Sequence, residues 1–147
     1  MDIAVREIIT SFIGTFGFSL ALNVRGKKAF IPSIGGGLSW CLYLLLRYFE
    51  VSDFISYLFA SMFVTAFSEI MAQITKTPST VYLLPASIPL LPGGSLFYTM
   101  SYFVGKNNEL FLKYANETLH TAFALASGVI VVSVITINLR KLNRKGT

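Results

Sequence analysis

The chain has 147 residues, of which 54% are hydrophobic and only 13% are charged, and its mean hydropathy is +0.65. Such a composition leaves too little polar surface for a soluble protein and predicts an integral membrane protein. The charged residues lie mostly between apolar runs, and so few residues lie outside these runs that no soluble enzyme domain fits. The net charge of +5 would suit nucleic acid. Because the basic residues cluster at the ends of the apolar runs, where they orient helices, nucleic acid is discounted as a partner.

The apolar runs predict a single all-α transmembrane domain over residues 1–147, with about five membrane-spanning helices. The first two runs are short, but eighteen residues at helical rise cover about 27 Å, close to the hydrocarbon thickness. The first run lacks a basic start and a small-residue cleavage site, so it is interpreted as a retained helix rather than a signal peptide. The predicted spans are 8–24, 29–46, 54–74, 81–104 and 118–139.

The sequence carries no pattern typical of catalysis. Cys41, the single cysteine, lies inside the second span and supports neither a disulfide nor a thiolate metal cluster. His120, the single histidine, begins the fifth span and is interpreted as an interfacial hydrogen-bonding residue, with a role in a proton pathway as the alternative. Hydrolase and metalloprotease motifs are absent from the sequence. We therefore predict a protein that is not an enzyme and needs neither a metal nor a cofactor.

Lysine and arginine are distributed unequally between the two sides of the predicted membrane domain. Four lie on the side of the N-terminus and eight on the side of the C-terminus. The excess predicts a cytoplasmic C-terminus in a plasma membrane, of the bacterial inner membrane type. A fourth segment that re-enters the membrane instead of crossing it would change this parity and is the less favoured arrangement. The eight residues are Arg25, Lys27, Lys28, Lys76, Arg140, Lys141, Arg144 and Lys145.

Polar residues recur every four positions along two spans, which places them on one helix face. Such hydroxyl residues either let helices pack closely or line a polar path, and Asn23 is the member most expected to touch a ligand. Glu69 is the only acidic residue well inside a predicted span. Desolvation favours its neutral form, so it is predicted to carry a proton, with pairing to Lys76 or Gln73 as the alternative. The two stripes are Ser11, Thr15, Ser19 and Asn23, and Ser61, Thr65, Glu69 and Gln73.

The fourth span contains three prolines and two adjacent glycines, within residues 83–94. Each proline removes an amide donor and clashes with the preceding turn, so the helix is predicted to break at all three. Carbonyls freed near Leu84, Ala86 and Ile88 must then be satisfied by protein or by a water-lined cavity, which indicates a substrate site near the membrane midplane.

The residues after the third proline are predicted to begin a second half-helix, with Ser95 as its N-cap. The unpaired amides at such a helix start suit a carboxylate. A zwitterionic amino acid would satisfy both these amides and the freed carbonyls. The predicted substrate-binding residues are Asn23, Pro89, Pro92, Gly93, Gly94 and Ser95, with Gln73 and Lys76 as further candidates for carboxylate contact.

Several segments together carry a family resemblance. They are Ile-Pro-Leu-Leu-Pro-Gly at 88–93, Tyr-Thr-Met at 98–100, Lys-Thr-Pro at 76–78, Glu69, Gly-Phe at 17–18 with Asn23, and the glycine-rich second span with Trp40. Over about residues 14–102 the chain resembles the small membrane subunit of the threonine/serine exporter family. The resemblance is most specific at the Pro-x-x-Pro-Gly core. Gln73 stands where the resemblance would place an arginine, so either Lys76 replaces that arginine or the substrate differs.

The resemblance implies efflux of threonine, serine or, in some two-subunit members, small dicarboxylates such as succinate. It also implies a second subunit that carries the other five-helix half and a cytoplasmic domain. An odd number of spans agrees with this, because a second half would run inverted. The leading hypothesis is one half of a proton-coupled secondary transporter in membrane lipid, completed by that subunit or by a second copy. The alternatives are a non-transporting assembly subunit, a succinate exporter subunit and a passive channel.

Overall fold

A computed structural model describes residues 3–24 and 26–145, without the side chains of Lys27 and residues 143–145. Arg25 and the side chains of Lys27, Arg144 and Lys145, which entered the charge count, therefore lie outside the described residues. Every regular element in the described part is helical, which confirms the predicted fold class. In chain order the elements are α1 (Ile3–Ala21), a 3-10 helix (Gly26–Ala29), α2 (Phe30–Tyr48), α3 (Asp53–Thr75), α4 (Thr80–Ser87), a second 3-10 helix (Ile88–Leu90), α5 (Gly93–Val104) and α6 (Asn108–Lys145).

Helices α1, α2, α3 and α6 are each long and apolar enough to cross a membrane. The segments Thr80–Leu90 and Gly93–Val104 pass the same test together, but the chain bends by 61° between them. The predicted broken fourth segment is thereby confirmed. Helix α6 has 38 residues, about 57 Å at helical rise, so it extends well beyond the hydrocarbon layer. It includes residues 108–117, which precede the predicted fifth span and were predicted to lie outside the membrane.

Helices α3 and α6 run parallel to each other. Gly128 of α6 packs against Ser61 and Leu58 of α3, so closely that a Cβ on this glycine would lie 2.8 Å from the Leu58 carbonyl oxygen. Further along both helices, Arg140 of α6 contacts Glu69 of α3. Because α6 therefore begins at the same end of the bundle as α3, the broken segment between them carries the chain from one end back to the other.

The packed centre of the bundle lies among α2, α3 and α4. Ala60 and Val64 of α3 are buried against Ala86 of α4 and against Leu90, the last residue of the second 3-10 helix. Trp40, Tyr43 and Tyr57 pack around this core, with ring centroids 4.9 Å and 4.5 Å apart along the series. Since Leu90 reaches the middle of α3, the interruption that follows it lies at mid-depth in the bundle.

Helix α5 leaves the bundle after the interruption and packs mainly against α6. The contact is aromatic: Tyr114 of α6 lies 5.1 Å from Tyr98 and 5.5 Å from Tyr102, measured between ring centroids. In the part of the chain that the structure describes, no residue of α5 is buried. The second half of the broken segment is therefore attached to the bundle along one side only.

Candidate functional site

The interruption of the broken helix is confined to two residues. Leu91 is extended, with ψ of 136°, and Pro92 precedes the first residue of α5. The prediction that all three prolines break the helix is wrong for Pro85, which lies inside α4. Pro89 lies inside the second 3-10 helix. A helix can carry a proline when its neighbours hold it in place, and α4 is packed against α2 and α3.

Two of the three carbonyls that were predicted to be freed already accept hydrogen bonds. The Ser87 hydroxyl donates to the Leu84 oxygen at 3.0 Å, and the Leu91 amide donates to the Ile88 oxygen at 3.1 Å. Past the interruption, the Gly93 amide donates to the Leu91 oxygen at 2.8 Å. The chain thus satisfies much of its own backbone at the break, and these two carbonyls are less available to a solute than predicted.

Helix α5 begins at Gly93, as predicted. The prediction that Ser95 caps it is wrong, because the N-cap position is Pro92 and no side chain caps the helix. Gly93 and Gly94 are exposed, and a Cβ on either would meet nothing within 4 Å. The Gly93 amide is already bonded to the Leu91 oxygen, but the next amides at the start of a helix have no partner within it, so those of Gly94 and Ser95 offer donors to an approaching anion.

A cavity of about 270 Å³ lies beside the break, between it and helices α1 and α2. Its wall includes the polar stripe of α1, so part of that stripe lines a space instead of packing against a neighbour. Among the residues predicted to bind substrate, Pro89 contributes to this wall in the described part of the chain. The lining residues are Glu7, Thr10, Ser11, Gly14, Thr15, Trp40, Ile88 and Pro89.

The hydroxyl groups of the α1 stripe differ in their hydrogen bonds and in their packing. Thr15 and Ser19 are buried and donate to the carbonyl oxygens four residues earlier, both at 2.7 Å. A Cβ on Gly36 of α2 would lie 2.5 Å from the Thr15 hydroxyl oxygen, so close packing explains this part of the stripe. By contrast, the buried Ser11 hydroxyl oxygen has no hydrogen-bond partner among the described residues.

Glu7 and Trp40 are functional candidates that the sequence interpretation missed. Both line the cavity, and the Trp40 indole nitrogen donates to Glu7 Oε2 at 3.4 Å. Glu7 was overlooked because the first span was predicted to begin at residue 8, whereas α1 begins at Ile3 and contains Glu7 in its second turn. One signal was available: Glu7 precedes Ser11 by four residues, so it extends the polar stripe by one step.

Glu69 has a partner that the sequence did not indicate. Its Oε2 lies 2.6 Å from an Arg140 guanidinium nitrogen, and the Glu69 side chain is 14% exposed. Lys76 and Gln73, the two partners weighed from sequence, are both exposed at the end of α3, and Lys76 adopts the left-handed conformation that ends the helix. Glu69 is therefore held by α6 and does not line the cavity beside the break.

The remaining predicted site residues lie apart from that cavity. Asn23 follows α1 in a left-handed conformation, with φ of 61°. It lies at the same end of the bundle as Gln73 and Lys76, because α1 and α3 each run antiparallel to α2. The structure thus places these three residues, together with Glu69, at one end of the bundle, and Pro89 at its middle.

A second cavity, of about 290 Å³, lies near the start of α3 and α6. Asp53 at its edge is held by Arg47, at 3.0 Å between Nε and Oδ1, and by the Tyr43 hydroxyl at 3.4 Å. His120 lines this cavity and is exposed. In the part of the chain that is described, no group of three His, Cys, Asp or Glu residues is arranged to hold a metal ion.

In a comparison with protein-family models, residues 7–135 match the family described as "Threonine/Serine exporter, ThrE". Comparisons with curated proteins and with solved structures returned no match. The family match spans α1 to most of α6 and includes the broken segment and the cavity beside it. Exporters of this kind are membrane transporters, which agrees with the apolar helices and the break at mid-depth. The chain therefore belongs to the threonine/serine exporter family and is a multi-pass membrane transporter subunit of that type.

Proposed function

We propose that this chain is one half of a proton-coupled secondary transporter that exports small polar amino acids such as threonine and serine. The observation that carries the proposal is the position of Pro89, two residues before the irregular backbone at mid-depth, against a cavity lined by hydroxyl-bearing residues of α1. Irregular backbone inside a membrane protein is tolerated where it lines such a cavity, and carriers use it to hold small solutes. The family supplies the substrate class.

The start of α5 binds the substrate carboxylate. Gly93 and Gly94 place no side chain over the amides of Gly94 and Ser95, and the helix dipole adds partial positive charge at this end. Pro92 and Ser95 flank these amides and shape the approach. Asn23, Gln73 and Lys76, at the end of the bundle where α1 and α3 finish, contact the carboxylate as the substrate enters or leaves.

Glu69 couples transport to protons through its contact with Arg140. A protonated Glu69 gives up most of its attraction for the guanidinium, which frees the end of α6 from α3. Arg140 is 52% exposed, so it reaches water when it is released. Because α5 is attached to the bundle mainly through α6, movement of α6 is transmitted to the half-helix that binds the substrate.

A second subunit of the same family, with a cytoplasmic domain, or a second copy of this chain completes the transporter in the lipid bilayer. The exposed α5 supports this, since one side of the half-helix has no partner within the described residues. The assembly is placed in a bacterial inner membrane with the C-terminus of this chain in the cytoplasm, as the excess of basic residues at that end favours.

Counterflow in vesicles tests the proposal. Vesicles that contain this chain and its partner are loaded with unlabelled threonine, serine or succinate, and uptake of the labelled solute is followed. Gly93→Leu covers the amides of α5 with a side chain and should reduce threonine counterflow at least tenfold. Gly17→Leu is the matched control, since a Cβ at Gly17 also meets nothing within 4 Å but lies on α1. Equal transport by both variants and the parent would defeat the site assignment.

The rival functions give different results in the same vesicles. An assembly subunit predicts that Gly93→Leu changes the yield of complex and leaves the turnover of each complex unchanged. A succinate exporter predicts counterflow of succinate and not of threonine. A passive channel predicts flux that does not respond to an imposed proton gradient.

A further inference from the structure

The cavity beside the break offers hydrogen-bond acceptors and almost no donors. The Thr15 hydroxyl donates to the Ser11 carbonyl at 2.7 Å, and the Thr10 hydroxyl donates to the Glu7 carbonyl at 2.9 Å. The indole N–H of Trp40 is directed to Glu7. These protons are therefore already used within the protein, and oxygen lone pairs remain to face the cavity.

Glu7 supplies a carboxylate to this cavity without a basic partner. No ion pair joins Glu7 to a lysine or arginine in the described part of the chain, whereas Glu69 has Arg140 and Asp53 has Arg47. Glu7 is half-buried in the second turn of a helix long and apolar enough to cross the membrane. A carboxylate in such a place is costly unless a cation compensates it.

The buried Ser11 hydroxyl oxygen, which has no partner among the described residues, is the second observation that points to a ligand. Buried polar atoms are nearly always bonded, so an unsatisfied one beside a cavity indicates that another molecule completes the bond. Ser11 lies one helical turn after Glu7, and both line the same space. Two neighbouring acceptors on one helix face match the divergent N–H bonds of an ammonium group.

The size of the cavity restricts the ligand to a small one. Its volume of about 270 Å³ lies just below the range of roughly 300–1,000 Å³ typical of pockets for drug-sized molecules. A small amino acid such as threonine or serine is of a size that fits this volume. A dicarboxylate of similar size would bring negative charge to a wall that already carries Glu7.

We propose that Glu7 binds the ammonium group of the substrate, with Ser11 as a second acceptor, and that this contact selects amino acids over acids that lack an amine. The proposal rests on the proposed transport function and deepens it. In this proposal the carboxylate of the same substrate is directed from the cavity toward the start of α5, which follows Pro89 by four residues, so the two ends of a zwitterion are bound by different elements of the fold. Dicarboxylates are excluded by charge at the Glu7 side.

The test compares threonine with 3-hydroxybutanoate, which is threonine without its amine. Counterflow is measured in vesicles that contain this chain and its partner, for the parent, for Glu7→Gln and for Glu109→Gln. Glu109 is an exposed glutamate at the start of α6 that does not line the cavity. The parent and the Glu109→Gln control should prefer threonine. Glu7→Gln should reduce that preference by about tenfold to a hundredfold, the range expected for one charge-assisted hydrogen bond.

A direct binding measurement separates failure of this inference from failure of the transport function. Trp40 is the only tryptophan of the chain, so its fluorescence in the purified full chain reports on the cavity. Threonine should change this fluorescence in the parent, and about tenfold more threonine or higher should be needed in Glu7→Gln. Binding without counterflow would defeat the transport function and leave the role of Glu7 supported.

Two results overturn the inference. One is active counterflow in which Glu7→Gln keeps the parent preference for threonine over 3-hydroxybutanoate. The other is the absence of both counterflow and a Trp40 fluorescence response to threonine in the parent. If Glu7→Gln fails to assemble, Ser11→Ala gives the same test, because the Ser11 hydroxyl oxygen makes no hydrogen bond within the described structure that its removal would break.

Discussion

Arg140 donates a hydrogen bond of 2.6 Å to Glu69 and so joins the end of α6 to the end of α3, across 71 positions of sequence. The two residues differ in surroundings, since the Glu69 side chain is 14% exposed and that of Arg140 is 52% exposed. Loss of the pair therefore leaves a mostly buried carboxylate without a partner, whereas the more exposed guanidinium can still be hydrated. This asymmetry allows the two partners to be tested separately.

Glu69→Gln and Arg140→Gln should both remove the ion pair but differ in proton dependence. If Glu69 carries the proton, Glu69→Gln abolishes stimulation of threonine efflux by an imposed proton gradient, whereas Arg140→Gln retains the titratable carboxylate and keeps part of the response. Efflux with and without the gradient is measured for both variants in vesicles with the partner subunit. Arg47→Gln, which breaks the exposed pair with Asp53 at the other end of α3, is the matched control. Equal loss of the gradient response in both variants would show that Glu69 acts only through the pair.

The Glu69 pairing illustrates what the sequence leaves open. Hydropathy and the clustered prolines were enough to predict an all-helical membrane domain with a broken fourth segment, because both signals are local. The partner of Glu69 depends on α3 and α6 running parallel in contact, which is a tertiary relationship. The sequence alone indicates only near neighbours as partners of Glu69, which is why Lys76 and Gln73 were proposed.

The cavity was predictable in part. The four-residue recurrence along α1 identified Ser11 and Thr15 as one face, but it could not show that both border a cavity while Thr15 also packs against α2. The packing of Thr15 depends on Gly36, whose missing side chain lets α2 come close. Glu7 was missed because a charged residue was taken to mark the end of a span, whereas the helix continues through it to Ile3.

Gly128→Leu should disrupt the contact between α6 and α3. A Cβ at this position would clash with the Ser61 hydroxyl oxygen and would lie 2.8 Å from the Leu58 carbonyl oxygen, which belongs to the backbone and cannot easily move away. We expect a loss of roughly 1–3 kcal/mol in the free energy of unfolding. Unfolding of the purified chain by a denaturing detergent measures it. Gly14→Leu, at an α1 position where a Cβ meets nothing within 4 Å, should change stability by less, and an equal loss would contradict close packing at Gly128.

Replacement of Pro92, Gly93 and Gly94 together by alanine should straighten the broken helix. The interruption depends on the extended Leu91 and the proline that follows, and alanine at these three positions favours continuous helix. Spin labels at Leu84 and Met100, both exposed, report the distance between the two half-helices. The distance should increase as the bend of 61° is reduced, and threonine counterflow should fall as the helix straightens. An unchanged distance would show that packing of α5 on α6 holds the bend without these residues.

Ser11 and Ser68 form a matched pair for the cavity. Both hydroxyl oxygens are buried and have no hydrogen-bond partner among the described residues, but only Ser11 lines the cavity beside the break. Removal of an unsatisfied hydroxyl costs little, so Ser11→Ala and Ser68→Ala should each leave the free energy of unfolding within about 1 kcal/mol of the parent. Their effects on substrate should differ. Ser11→Ala should weaken threonine binding by roughly fivefold, the equivalent of one hydrogen bond, while Ser68→Ala leaves it unchanged in the Trp40 fluorescence titration. Equal affinities for the two variants would mean that the Ser11 hydroxyl, like that of Ser68, is a packing defect and faces no ligand.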